Sequence, residues 1–170
     1  MKYKQASEDI SNVDLLIFLL VRFPEIFTIK YNQAQEKFTL SFMLRIDIDH
    51  DHYIRFKNKF LTCLKAYNDL SGSRQPLIKL CKRFIKPWTL LQVTLKKERI
   101  SFEEVNLISN LVLNEYKNGL VFDSRDNNNF DNKIIEKEEL IEYLLPRKKK
   151  SDEENLIAFR ESGKVYIYDK

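Results

Sequence analysis

Two runs of alternating residues near the start of the sequence most constrain how this chain folds. Residues 26–31 and 38–46 each place apolar side chains at every second position, and a polar segment, residues 32–37, separates the two runs. A period of two puts alternate side chains on opposite faces of a β-strand. Two such runs that flank a short polar segment predict a β-hairpin with one buried face.

A second hairpin is predicted further along the sequence. Residues 156–160 and 165–168 favour strands, and Ser162 and Gly163 form a turn signal between them. Because a two-stranded hairpin is barely stable alone, it must join a larger sheet. We favour the chain's own sheet, and the alternative is a swapped arm that reaches a second copy through the basic connection at residues 147–150.

Helices are predicted before and between the two hairpins. Ser101 and Glu104 form a capping box, in which a hydroxyl and a carboxylate satisfy backbone N–H groups at the start of a helix. The segment from Arg74 to Pro87 is ambiguous and admits a short helix at residues 77–84. The other predicted helices cover residues 11–23, 52–70, 102–118 and 133–145, and single strands are predicted at 89–95 and 120–123.

These elements predict an α+β fold. Its mixed sheet is expected to contain about four to six strands, built from the two hairpins plus two single strands and packed with four or five helices. With 170 residues, the chain is close to the size of one typical domain. We therefore predict a single domain over residues 1–170, with a main body at 1–145, a basic and acidic connection at 146–154 and the C-terminal hairpin at 155–170.

The first predicted helix carries an uninterrupted apolar run at residues 15–21. A helix that is apolar on every side is typical of a buried position, so we expect several of its sides to be covered. A chain of this size rarely buries a whole helix within itself. Part of the helix is therefore expected to meet a second copy, and a homodimer is predicted. The sequence identifies no other protein partner.

The composition excludes several classes of protein. With 44% hydrophobic and 32% charged residues, the chain is globular rather than disordered. The presence of only 3 glycines argues against glycine-rich loops that bind phosphate, and no cofactor is predicted. Basic and acidic residues nearly balance, at 29 and 25, so the net charge of +4 is weak support for a nucleic-acid partner. The abundance of Lys, Asn, Ile and Phe is typical of a low-GC bacterial protein.

The sequence predicts a cytoplasmic protein with no membrane partner. Its longest apolar run, residues 15–21, has 7 residues, whereas a membrane-spanning helix needs about 20. The first residues lack the apolar segment of a secretory signal. Cys63 and Cys81 do not make a disulfide framework, and two reduced thiols suit a reducing compartment.

The segment at residues 47–52 is the strongest candidate for a metal site. It holds the only 2 histidines of the chain among three carboxylates, and both kinds of group ligate transition metals. The candidate ligands are Asp47, Asp49, His50, Asp51 and His52. A bound ion would support a metal-dependent activity. The alternative, which we favour, is that Asp49 or Asp51 caps the following helix.

Two clusters of basic residues make nucleic-acid binding an alternative function. The first lies close to aromatic residues, and rings between cations can stack on unpaired bases. The second follows the strand predicted at 89–95, which would let the two clusters form one face that neutralises phosphates. The candidate residues are Lys79, Lys82, Arg83, Lys86, Trp88, Lys96, Lys97 and Arg99.

The sequence therefore supports three functional hypotheses. The first is a non-enzymatic intracellular binding or protein-interaction module that self-associates. The second is RNA or DNA binding through residues 79–99, and the third is a metal-dependent enzyme at residues 47–52. No catalytic residue, cofactor-binding residue or family motif can be named from the sequence alone.

Overall fold

A computed structural model describes residues 12–72, 74–122 and 155–169 of the chain. These residues form three helices and six strands. In chain order the elements are α1 (Asn12–Arg22), β1 (Thr28–Asn32), β2 (Lys37–Leu44), α2 (His50–Leu70), β3 (Leu77–Ile85), β4 (Trp88–Lys96), α3 (Phe102–Tyr116), β5 (Asn155–Glu161) and β6 (Lys164–Asp169). The predicted α+β class is confirmed.

The six strands form one sheet in the order β3-β4-β2-β1-β5-β6. Both predicted hairpins are present, as β1–β2 and β5–β6. The second hairpin joins the chain's own sheet because β5 pairs with β1, where Ile29 lies opposite Ala158. The predicted number of strands is correct, but every described strand pair is antiparallel, so the described sheet is not mixed.

The ambiguous segment in which the sequence admits a short helix is a strand. Residues 77–84 lie in β3, which pairs along its whole length with β4 across the turn at Lys86 and Pro87. The residues of this segment tolerate a helix locally, but pairing with β4 decides the outcome because strand preference depends on the neighbouring strand. The described residues therefore contain three helices rather than four or five. The helix predicted at 133–145 lies outside them.

The short strand predicted at 120–123 is reduced to a single β-bridge among the described residues. Leu120 forms one isolated bridge with Leu44, and the N–H of Val121 donates to the carbonyl of Met43 at 2.9 Å. These contacts hold the chain against the end of β2 without extending the sheet. Residues 123–154 lie outside the described residues, and the predicted connection at 146–154 lies among them.

The core lies between one face of the sheet and the three helices. Alternate residues of β2 point to this face because side chains alternate along a strand. Buried residues of α2 recur at three- and four-residue spacing and complete the opposite side of the core. The largest fully buried aromatic side chains are Phe38, Phe42, Phe56 and Phe60.

Two helices begin where local side chains satisfy their first N–H groups. Asp49 caps α2, and its Oδ1 accepts a hydrogen bond from the backbone N–H of His52 at 2.9 Å. Ser101 caps α3, and its Oγ accepts from the backbone N–H of Glu104 at 3.1 Å. These N–H groups have no partner within the helix itself, so the caps define where each helix starts.

Helix α1 is less buried than its apolar sequence predicts. Leu16, Leu19 and Leu20 are fully buried, whereas Ile17 and Val21 are 37% and 64% exposed. Among the described residues, α1 packs against β1, β5 and β6, and its Phe18 ring lies 6.0 Å from that of Phe102 on α3. The predicted cover of the remaining surface by a second copy stays a prediction. Neither α1 nor any other described helix is long and apolar enough to cross a membrane.

Candidate functional site

The sheet has two chemically different faces. One packs against the helices, and the other, which we call the open face, is covered by none of the described helices. Because side chains alternate along each strand, the strand register identifies the residues of the open face. On β1 to β4 they are Thr28, Lys30, Asn32, Lys37, Thr39, Ser41, Met43, Leu77, Lys79, Cys81, Arg83, Ile85, Trp88, Leu90, Gln92, Thr94 and Lys96.

The open face of β1 to β4 is positively charged. Its cations come from all four strands and are Lys30, Lys37, Lys79, Arg83 and Lys96. None of these four strands contains Asp or Glu. Like charges on neighbouring strands repel one another, so a surface of this composition favours anionic ligands.

A depression of about 320 Å³ lies on the open face. Lys30 on β1 and Arg83 on β3 line its two ends, and strands β2 and β4 lie between them. Thr39, Gln92 and Thr94 line it from the strands between, and the two threonine hydroxyl oxygens are 3.4 Å apart. Lys37 lines it as well, and hydroxyl and amide groups can donate hydrogen bonds, so the depression combines three cations with neutral donors.

The surroundings of Lys30 disfavour its charge. Burial, and to a smaller extent the positive charge of Arg83, lowers the pKa of Lys30 from 10.5 to about 8. Moving an ammonium group away from water costs free energy, and a second cation nearby adds repulsion. At pH 7 the amine is still protonated because the pH lies below this pKa. An anion beside Lys30 would favour the charged form.

A second depression adjoins the first on the open face. It encloses about 760 Å³, and both depressions are lined by Lys37 and Thr94. Lys79 on β3 and Lys96 on β4 also line it, together with Glu36 from the turn between β1 and β2. The two depressions therefore join all the cations of β1 to β4 on the open face into one continuous surface.

The open face becomes aromatic towards β6. Phe159 on β5 stacks between Tyr166 and Tyr168 of β6, with ring centroids 5.4 and 5.6 Å apart. Tyr166 and Tyr168 are 38% and 47% exposed. Lys30 on β1 pairs with Ile157 of β5, and β6 pairs with the other side of β5. The exposed rings of β6 are therefore separated from the cationic surface by one strand.

The sheet separates the residues predicted to bind nucleic acid. Lys79, Arg83 and Lys96 lie on the open face. Lys82 points to the other face, where its Nζ donates a hydrogen bond to the backbone carbonyl of Ile48. The eight candidates therefore do not form one surface.

The remaining candidates for nucleic-acid binding have structural contacts or lie in turns. Lys97 pairs with the fully buried carboxylate of Glu104. Trp88 is only 8% exposed and belongs to a small apolar cluster that includes Met43. Lys86 and Arg99 are exposed, in the turn after β3 and in the segment after β4. Neutralising Lys97 would disturb folding contacts as well as charge.

Lys30 and Lys37 are not among the binding residues predicted from the sequence. Each is the only cation of its strand, so neither belongs to a basic cluster in the sequence. The strand register places Lys30, Thr39, Thr94 and Lys79 in one row across β1, β2, β4 and β3. The alternating pattern of the first hairpin assigns Lys30 to the face opposite the core, but only the order of the strands reveals its neighbours.

The segment predicted as a metal site surrounds the start of α2. The hydrogen bond from the backbone N–H of His52 is the main reason that the pKa of Asp49 lies below its usual value. The Nε2 atom of His52 lies 2.7 Å from Oε1 of Glu115 on α3. The other candidates are exposed: Asp47, His50 and Asp51. Across the described ranges, no group of three or more His, Cys, Asp or Glu side chains could hold a metal ion.

Both cysteines are free thiols. Cys63 lies partly buried within α2, and Cys81 is exposed on the open face. The two thiols therefore lie on opposite sides of the sheet.

The two edges of the sheet differ in charge. Strand β3 carries Lys79, Lys82 and Arg83, whereas β6 carries only Lys164 and Asp169, at its two ends. Lysines on an edge strand oppose pairing with another edge. Strand β6, with its four apolar and aromatic residues between the charged ends, lacks this protection.

No protein-family model, curated protein or solved structure matches this chain. Its function is therefore inferred from the charge, burial and register of its own residues.

Proposed function

We propose that this chain acts by binding rather than by catalysis, and that it self-associates as a homodimer. In this dimer β6 pairs with β6 of a second copy, and an exposed apolar stripe of α1 packs against the same stripe of the partner. One observation carries the proposal: the stripe and the unprotected strand edge lie on the same side of the molecule. Two weak surfaces that are adjacent give one interface of useful size.

The α1 stripe consists of Val13, Ile17 and Val21, which are 37%, 37% and 64% exposed. Residues four apart lie on one side of a helix. The opposite flank of α1 faces α3, because the ring of Phe18 lies 6.0 Å from that of Phe102. The stripe therefore turns away from α3, towards the edge of the sheet that β6 forms.

The sequence of β6 is complementary to itself in one antiparallel register. With a two-fold axis at Tyr166, perpendicular to the sheet, Val165 lies opposite the partner's Ile167 beneath the two helices. A shift of two positions in one direction would place Val165 opposite the partner's Asp169. The same shift in the other direction would pair Val165 with itself and leave Ile167 opposite the partner's Gly163, outside β6. A shift of one position would turn every side chain to the opposite face. The register at Tyr166 is therefore favoured.

The first test compares two substitutions of equally exposed isoleucines. Ile17 on α1 and Ile54 on α2 are 37% and 38% exposed, so a glutamate is expected to cost the fold a similar amount at either position, which thermal unfolding of both variants verifies. Sedimentation velocity over a wide concentration range should show a dimer for the wild type and for Ile54→Glu. Ile17→Glu should be monomeric. If the wild type remains monomeric at the highest concentration, the proposed homodimer is wrong.

The second test examines the register through one exposed position. In the proposed pairing Tyr168 lies opposite the partner's Lys164, and both point to the open face. Tyr168→Lys places like charges opposite one another and should weaken the dimer, whereas Tyr168→Glu places opposite charges there and should preserve it. Equal dimer affinities for the two variants would show that β6 does not pair in this register.

Nucleic-acid binding is the second candidate function. The observation that favours it is the continuous cationic open face, built from four strands that contain no acidic residue. Nucleic acid is a polyanion, and neutralisation of its phosphates by Lys and Arg supplies much of its affinity for proteins.

A further inference from the structure

We infer that the depression between Lys30 and Arg83 binds a phosphate group, and that single-stranded nucleic acid supplies this group. The inference rests on the second candidate function and deepens it, because it names the site and the chemical class of the ligand. None of the described residues that line this depression belongs to β6 or α1, which form the proposed dimer interface, so the phosphate site and the dimer can fail separately.

The depression offers the groups that a phosphate requires. The guanidinium of Arg83 can donate two parallel hydrogen bonds to phosphate oxygens, and the ammonium of Lys30 adds a second charge. The hydroxyls of Thr39 and Thr94 and the amide of Gln92 line the same depression and can donate to the remaining oxygens. None of the described residues that line it is acidic.

The site continues across the sheet in a way that suits a chain of phosphates. Lys30 and Lys79 stand at the two ends of one row that crosses β1, β2, β4 and β3. Strands lie about 4.8 Å apart, so the row spans about 14 Å. A nucleic-acid strand presents several phosphates over that length. Lys37 and Lys96 line the adjoining depression and extend the same surface.

The aromatic end of the open face favours a single strand over a duplex. Tyr166 and Tyr168 present exposed rings on the same face as the cations. Unpaired bases stack on such rings, whereas the bases of a duplex already stack on one another. A strand whose phosphates follow the cationic surface could therefore place bases on β6.

The lowered pKa of Lys30 agrees with this assignment. The charged amine is disfavoured by burial and by Arg83, and a phosphate between the two cations would reverse the second effect. Lys37 is the other cation that lines the same depression, and Tyr31 is the neighbouring titratable group. A bound phosphate would thus relieve a repulsion that already exists in the free protein.

The experiment uses a fluorescein-labelled oligothymidylate and measures its anisotropy at several salt concentrations. The test variant combines Lys30→Met with Arg83→Met. The matched control combines Lys65→Met with Arg55→Met, which removes the same charge from exposed positions of α2, on the other side of the sheet.

We expect the test variant to bind at least about tenfold more weakly than wild type, because the charge-assisted hydrogen bonds of both cations are lost. The slope of log affinity against log salt should become shallower by about 0.7 for each cation removed. The control should bind like wild type. Thermal unfolding of both variants verifies that each is folded.

Other outcomes separate the site from the ligand. If wild type and both variants bind the oligonucleotide equally, the site is wrong although nucleic-acid binding stands. If the oligonucleotide does not bind but inorganic pyrophosphate raises the melting temperature of wild type and not of the test variant, the phosphate site stands and nucleic acid is the wrong source. Equal competition by polyglutamate would indicate an acidic protein segment as the ligand instead. If none of these probes binds, the inference is overturned.

Discussion

Replacing Lys30 by methionine should stabilise this protein at neutral pH. Lys30 lies on β1 with its charge partly removed from water and opposed by Arg83, which together lower its pKa from 10.5 to about 8. Below pH 8 both the folded and the unfolded chain carry the proton, so the folded state bears the full cost of the charge. Methionine has a similar length and no charge, and it removes this cost.

The magnitude follows from the difference between the two pKa values. A fall from 10.5 to about 8 corresponds to about 3 kcal/mol of differential free energy. Because Lys30 keeps partial contact with solvent, screening reduces this figure, and we expect about 1 to 2 kcal/mol. For a chain of this size that gain raises the melting temperature by about 3 to 6 °C.

The pH dependence gives the sign of the effect independently. Between pH 8 and 10.5 the folded protein has released the proton of Lys30 while the unfolded chain still holds it, so wild-type stability rises with pH in this window. The advantage of Lys30→Met should therefore be largest below pH 8 and should decline towards pH 10.5. Other groups titrate equally in both proteins and cancel in the comparison.

Urea unfolding of wild type, Lys30→Met and Lys79→Met at pH 7 and pH 10 provides the assay. Lys79 is exposed on the same face, so its substitution should change stability by less than about 0.5 kcal/mol. A Lys30→Met protein less stable than wild type at pH 7, or an advantage that does not change with pH, would show that the charge of Lys30 does not destabilise the fold. If Lys30→Met is more stable than wild type but binds the oligonucleotide more weakly, Lys30 contributes to binding at the expense of stability.

Two further substitutions test the contacts that fix α3. Lys97→Met should destabilise the fold by about 3 kcal/mol or more in urea unfolding, because it leaves the buried carboxylate of Glu104 without its partner cation; a loss below 1 kcal/mol at pH 7 would mean that this pair is not buried in solution. Ser101→Ala should cost about 1 kcal/mol by removing the cap of α3, whereas Ser101→Asp should retain most of the stability; equal losses for the two variants would contradict the capping role.

The elements that could be predicted are those with a strong local period or cap. The alternation in residues 38–46 identifies β2, and the stripe that includes Phe56 and Phe60 identifies α2. Ser101 marks the start of α3 by its capping box. Each of these signals lies within one element and needs no knowledge of the rest of the fold.

What could not be predicted depends on which strands are neighbours. Residues 77–84 carry apolar and basic residues in an order that allows a helix or an edge strand, and only pairing with β4 selects the strand. The cationic surface depends on the order β3-β4-β2-β1, which brings single cations from separate strands together. The predicted basic clusters, by contrast, were split by the alternation of side chains, which sends Lys82 and Arg83 to opposite faces.

The position of β1 between β2 and β5 has a consequence for biosynthesis. The side chains of Asn32 and Asn155 are joined by a hydrogen bond although they lie 123 residues apart in the chain. While the ribosome makes the intervening residues, β1 can pair with β2 but has no neighbour on its other side. Contacts between such distant residues form slowly because a long loop must close first. The nascent protein therefore exposes a bare strand edge until β5 emerges, and this interval is when it most needs protection by chaperones.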